Sequence, residues 1–432
     1  ISRTVMSFVD FVMVSQLGTE AQAAMMPAGV LLFCIVSFGM GTLSIINSIV
    51  SQHLGRDEPH ECAAYAWQGV YIGLVMGIVA LPGWFVMPPL FNAVGHEPAV
   101  RDMEIIYVQI GLLGIGPQLI GMAIVDFFNG IHRPMVGFFA ALISNIFNGI
   151  ANYALIFGHF GFEPMGIAGA AWGTTASSCV FVLVAAIWLM RPSINQVYHF
   201  WRNYRPSWRR IKRIIHFGLP AGVQHTIDIF SFTIFTLLLV GRFSTEQLAA
   251  HNIAFKFLEI SFMSTVGLGV AVTAAVGKAI GQKRPDLAKL VVKWAAGFAL
   301  TYMGLIAICY LLFRYQMAGL LSDDPVVIEW TARVLILCAI FQLFDALGIT
   351  HSFAMRGAGD THWQLRVMIV YSIVLFMGGG FALAYLKPEW GLIGPWLGAT
   401  AYIICLGITY TFRWYHGHWQ TIRLVDESNN AG

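Results

Sequence analysis

The sequence predicts an all-α integral membrane protein: twelve transmembrane helices in two six-helix bundles, related by a pseudo-twofold axis along the membrane normal, with the first helix truncated. Three observations lead there. The 432 residues are 57% hydrophobic, 14% aromatic and only 11% charged, with a mean hydropathy of +0.70, far from the composition of a soluble chain. The apolar residues gather into stretches of the roughly 20 residues needed to cross ~30 Å of hydrocarbon. Finally, the chain matches itself when displaced by 226 residues.

Taken in order, the run before Leu17 is apolar, yet at ~1.5 Å per residue it is too short to cross a bilayer. With no initiator methionine and a start in mid-pattern, it reads as the second half of a first helix. Spans follow at about 28–52, 63–86, 105–127, 134–158 and 166–190, then at about 215–240, 247–277, 288–313, 327–353, 362–386 and 391–413. The domains expected are thus an N-terminal bundle over 1–190, a basic linker over 191–214, a C-terminal bundle over 215–416 and a tail over 417–432.

The repeat runs the length of the chain. Ser15 to Glu20 aligns with Gly241 to Glu246, and Leu54-Gly55 with Pro59 aligns with Ile280-Gly281 and Pro285, both at a displacement of 226. Glu97-Pro98 meets Asp324-Pro325, Gly130 meets Gly357, and Gly166 with Gly169 meets Gly391 with Gly394, so the displacement drifts only between 225 and 227. Long-period self-similarity in an apolar chain is a mark of many secondary transporters. An even number of helices per repeat gives both halves one orientation.

Loop charge sets that orientation. The linker carries Arg191, Arg202, Arg205, Arg209, Arg210, Lys212 and Arg213 with no acid, whereas the alternate loops hold Glu20, Glu97, Glu163, Asp323, Asp324 and Glu389. The positive-inside rule places the linker, the loops around Arg56, Arg133, Lys283 and Arg356, and both termini in the cytoplasm of a cell inner membrane. Topology is sufficient reason for the basic linker; specific lipid binding is the alternative reading, and no nucleic-acid partner is expected.

Cys34, Cys62, Cys179, Cys309, Cys338 and Cys405 never fall at CxxC spacing, so neither a disulfide frame nor a zinc site is indicated. No phosphate-binding loop, HExxH helix or paired nucleophile and base occurs. An enzyme is therefore not expected, nor a cofactor, nor an obligate protein partner. A monomer driven by an ion gradient is.

The chemistry then rests on polar groups inside apolar helices. Asp10, Asp228 and Asp345 each lie two or more turns from a loop. An acid at that depth costs ~2.5–3.5 kcal/mol on insertion scales, so such residues are usually retained for ion or substrate handling. Gln224 and His225 precede Asp228 by four and three residues and share its helix face, and Gln342 stands three before Asp345. Desolvated carboxylates suit proton uptake and release, while additional oxygen ligands favour Na⁺. Asn145, Asn148 and Asn152 are spaced to face one side of the fifth helix, where amides either coordinate a cation or glue helices together. Lys256 and Glu259 read as an internal ion pair, and Asp126 as interfacial. Gly116-Pro117 and Gly218-Leu219-Pro220 can bend their helices.

In sum these residues resemble the multidrug and toxic compound extrusion (MATE) transporters. Val9 to Gly18 resembles their first helix; Gly218-Leu219-Pro220 with Asp228, their seventh; Asp345 followed by Arg356 to Thr361, their tenth. Asn148 to Asn152, Phe157-Gly158 and Gly166 to Ala171 are similar to the fifth and sixth. The resemblance covers nearly the whole chain, and it is the ordered set that makes it specific.

The resemblance implies two six-helix bundles forming a V around a central cavity, with Na⁺ or H⁺ entry driving export of organic, often cationic, amphipathic compounds. It also implies that Asp228 and Asp345, with Asn148 and Asn152, form the cation site of a NorM-like branch. Na⁺ would be held at Asp228 and Asp345, and Asp10 would serve proton coupling or cation binding. His225, Gln224, Gln342 and Asn145 would support them. Two departures stand out: Asp228 occupies a place where that branch carries the longer Glu, and the Lys256, Glu259 pair resembles a different branch. By the repeat, Asp345 aligns with Gln118 and Asp228 with Ser2, which concentrates these acids in the C-terminal half. The alternative reading is a flippase for lipids or lipid-linked oligosaccharides, for which a more cationic cavity is expected.

Overall fold

The computed structural model describes residues 2–425, and among them helices carry almost the whole chain and no strand occurs. Two compact units divide it, Ile1–Gly222 and Val223–Gly432. The first contains α1 (Ser2–Ser15), α2 (Thr19–Leu43), α3 (Ile45–Gly55), α4 (Pro59–Ala80), α5 (Gly83–Val94), α6 (Pro98–Gly130), α7 (Met135–Phe157), α8 (Ile167–Leu189), α9 (Pro192–Tyr198) and the start of α10 (Trp208–Ile234). The second takes in the rest of α10, α11 (Thr245–Gly281), α12 (Pro285–Leu312), α13 (Arg314–Gly319), α14 (Pro325–Ala358), α15 (Thr361–Tyr371), α16 (Gly380–Leu386) and α17 (Ile393–His416).

Among the described residues, eleven helical runs are long and apolar enough to cross a membrane, α2 with α3 counting as one. Their outer faces are apolar where a soluble protein would be polar: Val79 is 70% exposed and Phe412 71%. Only lipid makes such a surface stable. The 14-residue α1 is not among the eleven.

Each unit is built round one long helix. In the first, α6 packs against α2, α4 and α8; in the second, α14 packs against α11, α12 and α17. Both begin with proline at the first helical position, Pro98 and Pro325, where the missing N–H is no loss.

The duplication is written into the turns. Asp57 and Lys283, 226 residues apart, both take the left-handed conformation, at φ 59° and 57°, between a helix that ends at Gly55 or Gly281 and one that starts at Pro59 or Pro285. Gly166 (φ 56°, ψ −130°) and Gly391 (φ 53°, ψ −135°) share a conformation that side chains exclude.

Three sequence boundaries shift. The apolar stretch 63–86 is two elements, because Leu81-Pro82 ends α4 at Ala80 and a separate apolar helix, α5, continues the hydropathy. The linker 191–214 is largely helical, since α10 already begins at Trp208. Of the tail 417–432, the part through Val425 folds back: Trp419 stacks on Trp414 with centroids 4.3 Å apart, and residues 426–432 lie outside the described ones. Nearby, Arg413 Nε donates to Asp360 Oδ2 at 2.9 Å.

The close approach of α2 to α10 explains why the unit boundary falls inside a helix. A Cβ on Gly41 would stand 2.6 Å from the Ala221 carbonyl oxygen, so backbone meets backbone there. Two residues beyond Pro220, which leaves a carbonyl one turn earlier without its helical donor, the chain passes into the second unit.

Candidate functional site

In the first unit, α1, α7 and α8 bring a buried polar cluster together. On α7 the buried positions recur every fourth residue, Val136, Ala140, Ser144, Asn148 and Asn152, which aligns one stripe along the helix. Asn152, 0% exposed, donates through Nδ2 to Asp10 Oδ1 at 2.5 Å and more weakly to Asn148 Oδ1 at 3.4 Å. Asn148 Nδ2 reaches Thr174 Oγ1 on α8 at 3.5 Å. Thr174 also hydrogen-bonds Asp10, and Tyr107 of α6 bonds Thr174 within electrostatic reach of the carboxylate. The amide oxygen of Asn152 is buried against Gly173 and has no protein partner. Asn145 is only half-buried, one position off the stripe that Ser144 fills.

The cluster therefore presents oxygens: the Asp10 carboxylate, two amide carbonyls and a hydroxyl. Oxygen donors of this kind suit a hard cation, and a buried acceptor without a partner is a site for an ion or a water. Among the described residues no group of three or more His, Cys, Asp or Glu could hold a metal ion.

In the second unit the two acids sit at partial exposure, on α10 and α14. Asp345 is within electrostatic reach of Asp228. Tyr402 of α17, 4% exposed, donates its hydroxyl to Asp228 Oδ1 at 3.5 Å. Arg356, near the end of α14 and 5% exposed, lies within reach of Asp228, His225 and Tyr410. Gln342, three residues before Asp345, is 1% exposed and donates instead to Ser261 Oγ of α11 at 2.8 Å. Gln224 is buried as well.

Beyond Asp228, α10 passes through a π-helical stretch, Phe235–Leu239, and a second one, Ser372–Gly379, joins α15 to α16. They meet: Ser231 Oγ lies 2.8 Å from Ser372 Oγ, and the Phe235 and Phe376 rings stack at 5.0 Å. Such bulges recur at functional sites in helices.

Sequence reasoning missed Tyr107, Thr174, Tyr402 and Arg356. The last was taken for a topogenic loop charge, and the first three carry no signal until the fold places them. Lys256 and Glu259 do pair, at 3.1 Å, but Lys256 is 69% exposed, so the pair is not internal. Asp126 is buried, at 7%, rather than interfacial, and Asn129 donates to it at 3.4 Å.

Carboxylates and amides held inside the membrane helices of a multi-pass protein are the arrangement of membrane transporters. The family model MatE matches residues 1–154 and 220–381. The chain belongs to this transporter family. It is 30% identical over 424 residues to a "Probable multidrug resistance protein NorM" of Rhizobium meliloti (strain 1021), spanning 94% of this chain and 88% of that one. A protein of the same name from Bacillus cereus (strain ATCC 10987 / NRS 248) is 29% identical over 410 residues, covering 94% and 89%. Among solved structures, an outward-facing multidrug resistance MATE family transporter superposes with a TM-score of 0.88 at 19% identity, covering 98% of this chain and 93% of that one. The eukaryotic MATE transporter AtDTX14 gives 0.85 at 17%, covering 97% and 93%. At these identities the likeness establishes the fold.

Proposed function

We propose that this chain is a secondary active multidrug efflux transporter, which couples Na⁺ or H⁺ entry to export of organic, cationic amphipathic compounds by alternating access. The observation that carries the reading is the buried Asp10, Asn148, Asn152, Thr174 cluster, with one amide oxygen left without a protein partner. A buried amide oxygen with no protein partner is open to an ion or a water, and here it stands in a cluster of oxygens suited to a hard cation. Asp228 and Asp345, within mutual reach and beside Tyr402, form a second cation-binding or proton-coupling group. The multidrug assignment follows the names of its relatives.

Counted beside the eleven spans, α1 makes twelve membrane helices, six in each sequence repeat, with α10 the seventh. The chain is placed in the cytoplasmic membrane with both termini inside, by its loop charges, and acts as a monomer without cofactor.

The test is efflux of a fluorescent organic cation from proteoliposomes under an imposed Na⁺ gradient and, separately, a pH gradient. Efflux driven by one of them supports the antiporter and identifies its ion. Response to neither, with reconstitution verified, overturns the reading and brings lipid flipping to the front.

A further inference from the structure

We propose that the segment between α8 and α10, with the first two turns of α10, is a binding surface for phospholipids with anionic headgroups. Its cations alone are accounted for by topology. A topogenic charge acts during insertion and needs no folded shape, but this segment has one, fixed by side chains of α4. Trp67 Nε1 donates to the Phe200 carbonyl at 2.8 Å, Gln68 Nε2 donates to the Arg205 carbonyl at 3.2 Å, and Gln68 Oε1 accepts from the Ser207 amide at 2.9 Å. The Tyr71 hydroxyl donates to the Tyr204 carbonyl. Four contacts thus clamp eight consecutive residues against one helix.

The clamp sorts the cations into two sets. Arg210 is neutralised inside the unit by a bidentate pair with Glu61, at 2.6 and 2.9 Å, and Arg213 bonds Tyr65. Arg191 lies over the Trp188 ring at 3.4 Å. Arg209 lies within electrostatic reach of Glu61, while Arg202, Arg205 and Lys212 are turned outward. Between them stand three exposed aromatic rings, Trp201 at 47%, Tyr204 at 53% and Trp208 at 74%. No acid occurs in the segment to answer these charges.

Alternating exposed rings and cations on a rigid backbone beside a membrane span match the headgroup layer, where aromatic rings settle and Lys or Arg meet phosphate. A lipid phosphate supplies the missing countercharge, and its glycerol and upper acyl carbons supply apolar contact for the rings. Anionic lipids are favoured over zwitterionic ones by about 1 kcal/mol per surface cation, or about fivefold each.

The full-length protein, purified from membranes and exposed to mixed micelles of phosphatidylglycerol and phosphatidylcholine, is weighed by native mass spectrometry to count the lipids retained. The wild-type protein should prefer phosphatidylglycerol, and raising the salt should weaken that preference. The triple variant Arg202→Gln, Arg205→Gln, Lys212→Gln keeps Arg191, Arg209, Arg210 and Arg213 for topology, and its preference should fall by at least about fivefold, the weight of one cation. Inorganic phosphate, lacking the apolar part, should not displace the lipid. An unchanged preference in the triple variant overturns the proposal. If that variant does not insert, a wild-type preference indifferent to salt overturns it equally.

Discussion

Asn152 spends its amide nitrogen on Asp10, 2.5 Å away, and leaves its amide oxygen buried against Gly173 without a protein partner. The nitrogen fixes the position of the acid, and the oxygen stays available. Asp10→Asn removes the charge and Asn152→Leu removes both atoms. A hydrogen bond to a charged group is worth ~1.5–3 kcal/mol, so either change should lower ion-driven efflux about 10- to 100-fold in proteoliposomes. Efflux within a factor of two of wild type in both variants would remove this cluster from the mechanism.

Gly173 offers a sharper test, because it touches the site without contributing a ligand. A Cβ there would fall on the Asn152 amide oxygen, so Gly173→Ala should rotate or displace that amide. Within a helix the same change is worth up to ~1 kcal/mol in favour of alanine. Thermal unfolding in detergent should therefore hold or improve while ion affinity drops several-fold. A parallel fall in both would show that packing, not the site, had been injured.

The pair in the second unit predicts non-additivity. Asp228 and Asp345 share an electrostatic environment with Tyr402 and Arg356. If they bind one cation together, Asp228→Asn and Asp345→Asn should each cost tenfold or more in exchange rate, and the double variant should be little worse than either single one. Tyr402→Phe, which deletes only a 3.5 Å contact, should cost less than tenfold. Independent losses that multiply in the double variant would mean two separate sites.

Much of this was legible in the sequence, for reasons that can be stated. The eleven long apolar runs follow hydropathy, because the bilayer fixes their length, and the repeat aligns Gly166 with Gly391 and Asp57 with Lys283, pairs that share backbone conformations. Asp10, Asn148 and Asn152 were identifiable because an acid or a spaced row of amides is expensive in hydrocarbon. Thr174, Tyr107 and Tyr402 were not: a hydroxyl in an apolar helix can bond its own backbone, as Thr174 does to the Ala170 carbonyl at 3.0 Å, so nothing local distinguishes a ligand from a bystander. Arg356 was hidden for the opposite reason. A cation at a helix end always has topology as a sufficient explanation, and only its 5% exposure shows that it turns inward.

The Asp360 and Arg413 pair separates stability from transport. The two side chains are 5% and 16% exposed, 2.9 Å apart, so breaking the pair from one side leaves a poorly hydrated charge, at ~3–5 kcal/mol. The two sides are not equivalent. Arg413 also lies over the Trp363 ring at 4.6 Å and contacts His418 Nδ1 at 3.0 Å, so it retains partners when the acid is neutralised. Asp360→Asn preserves shape and an acceptor oxygen and should cost ~1–2 kcal/mol. Arg413→Met strands the carboxylate and should cost more, and combining the two changes should recover part of that loss. Thermal unfolding of the detergent-solubilised variants measures all three, with efflux per folded molecule unchanged, because neither residue touches the acids or amides of the candidate sites. A larger loss for Asp360→Asn than for Arg413→Met would show that the carboxylate, not the guanidinium, holds the end of α17 in place.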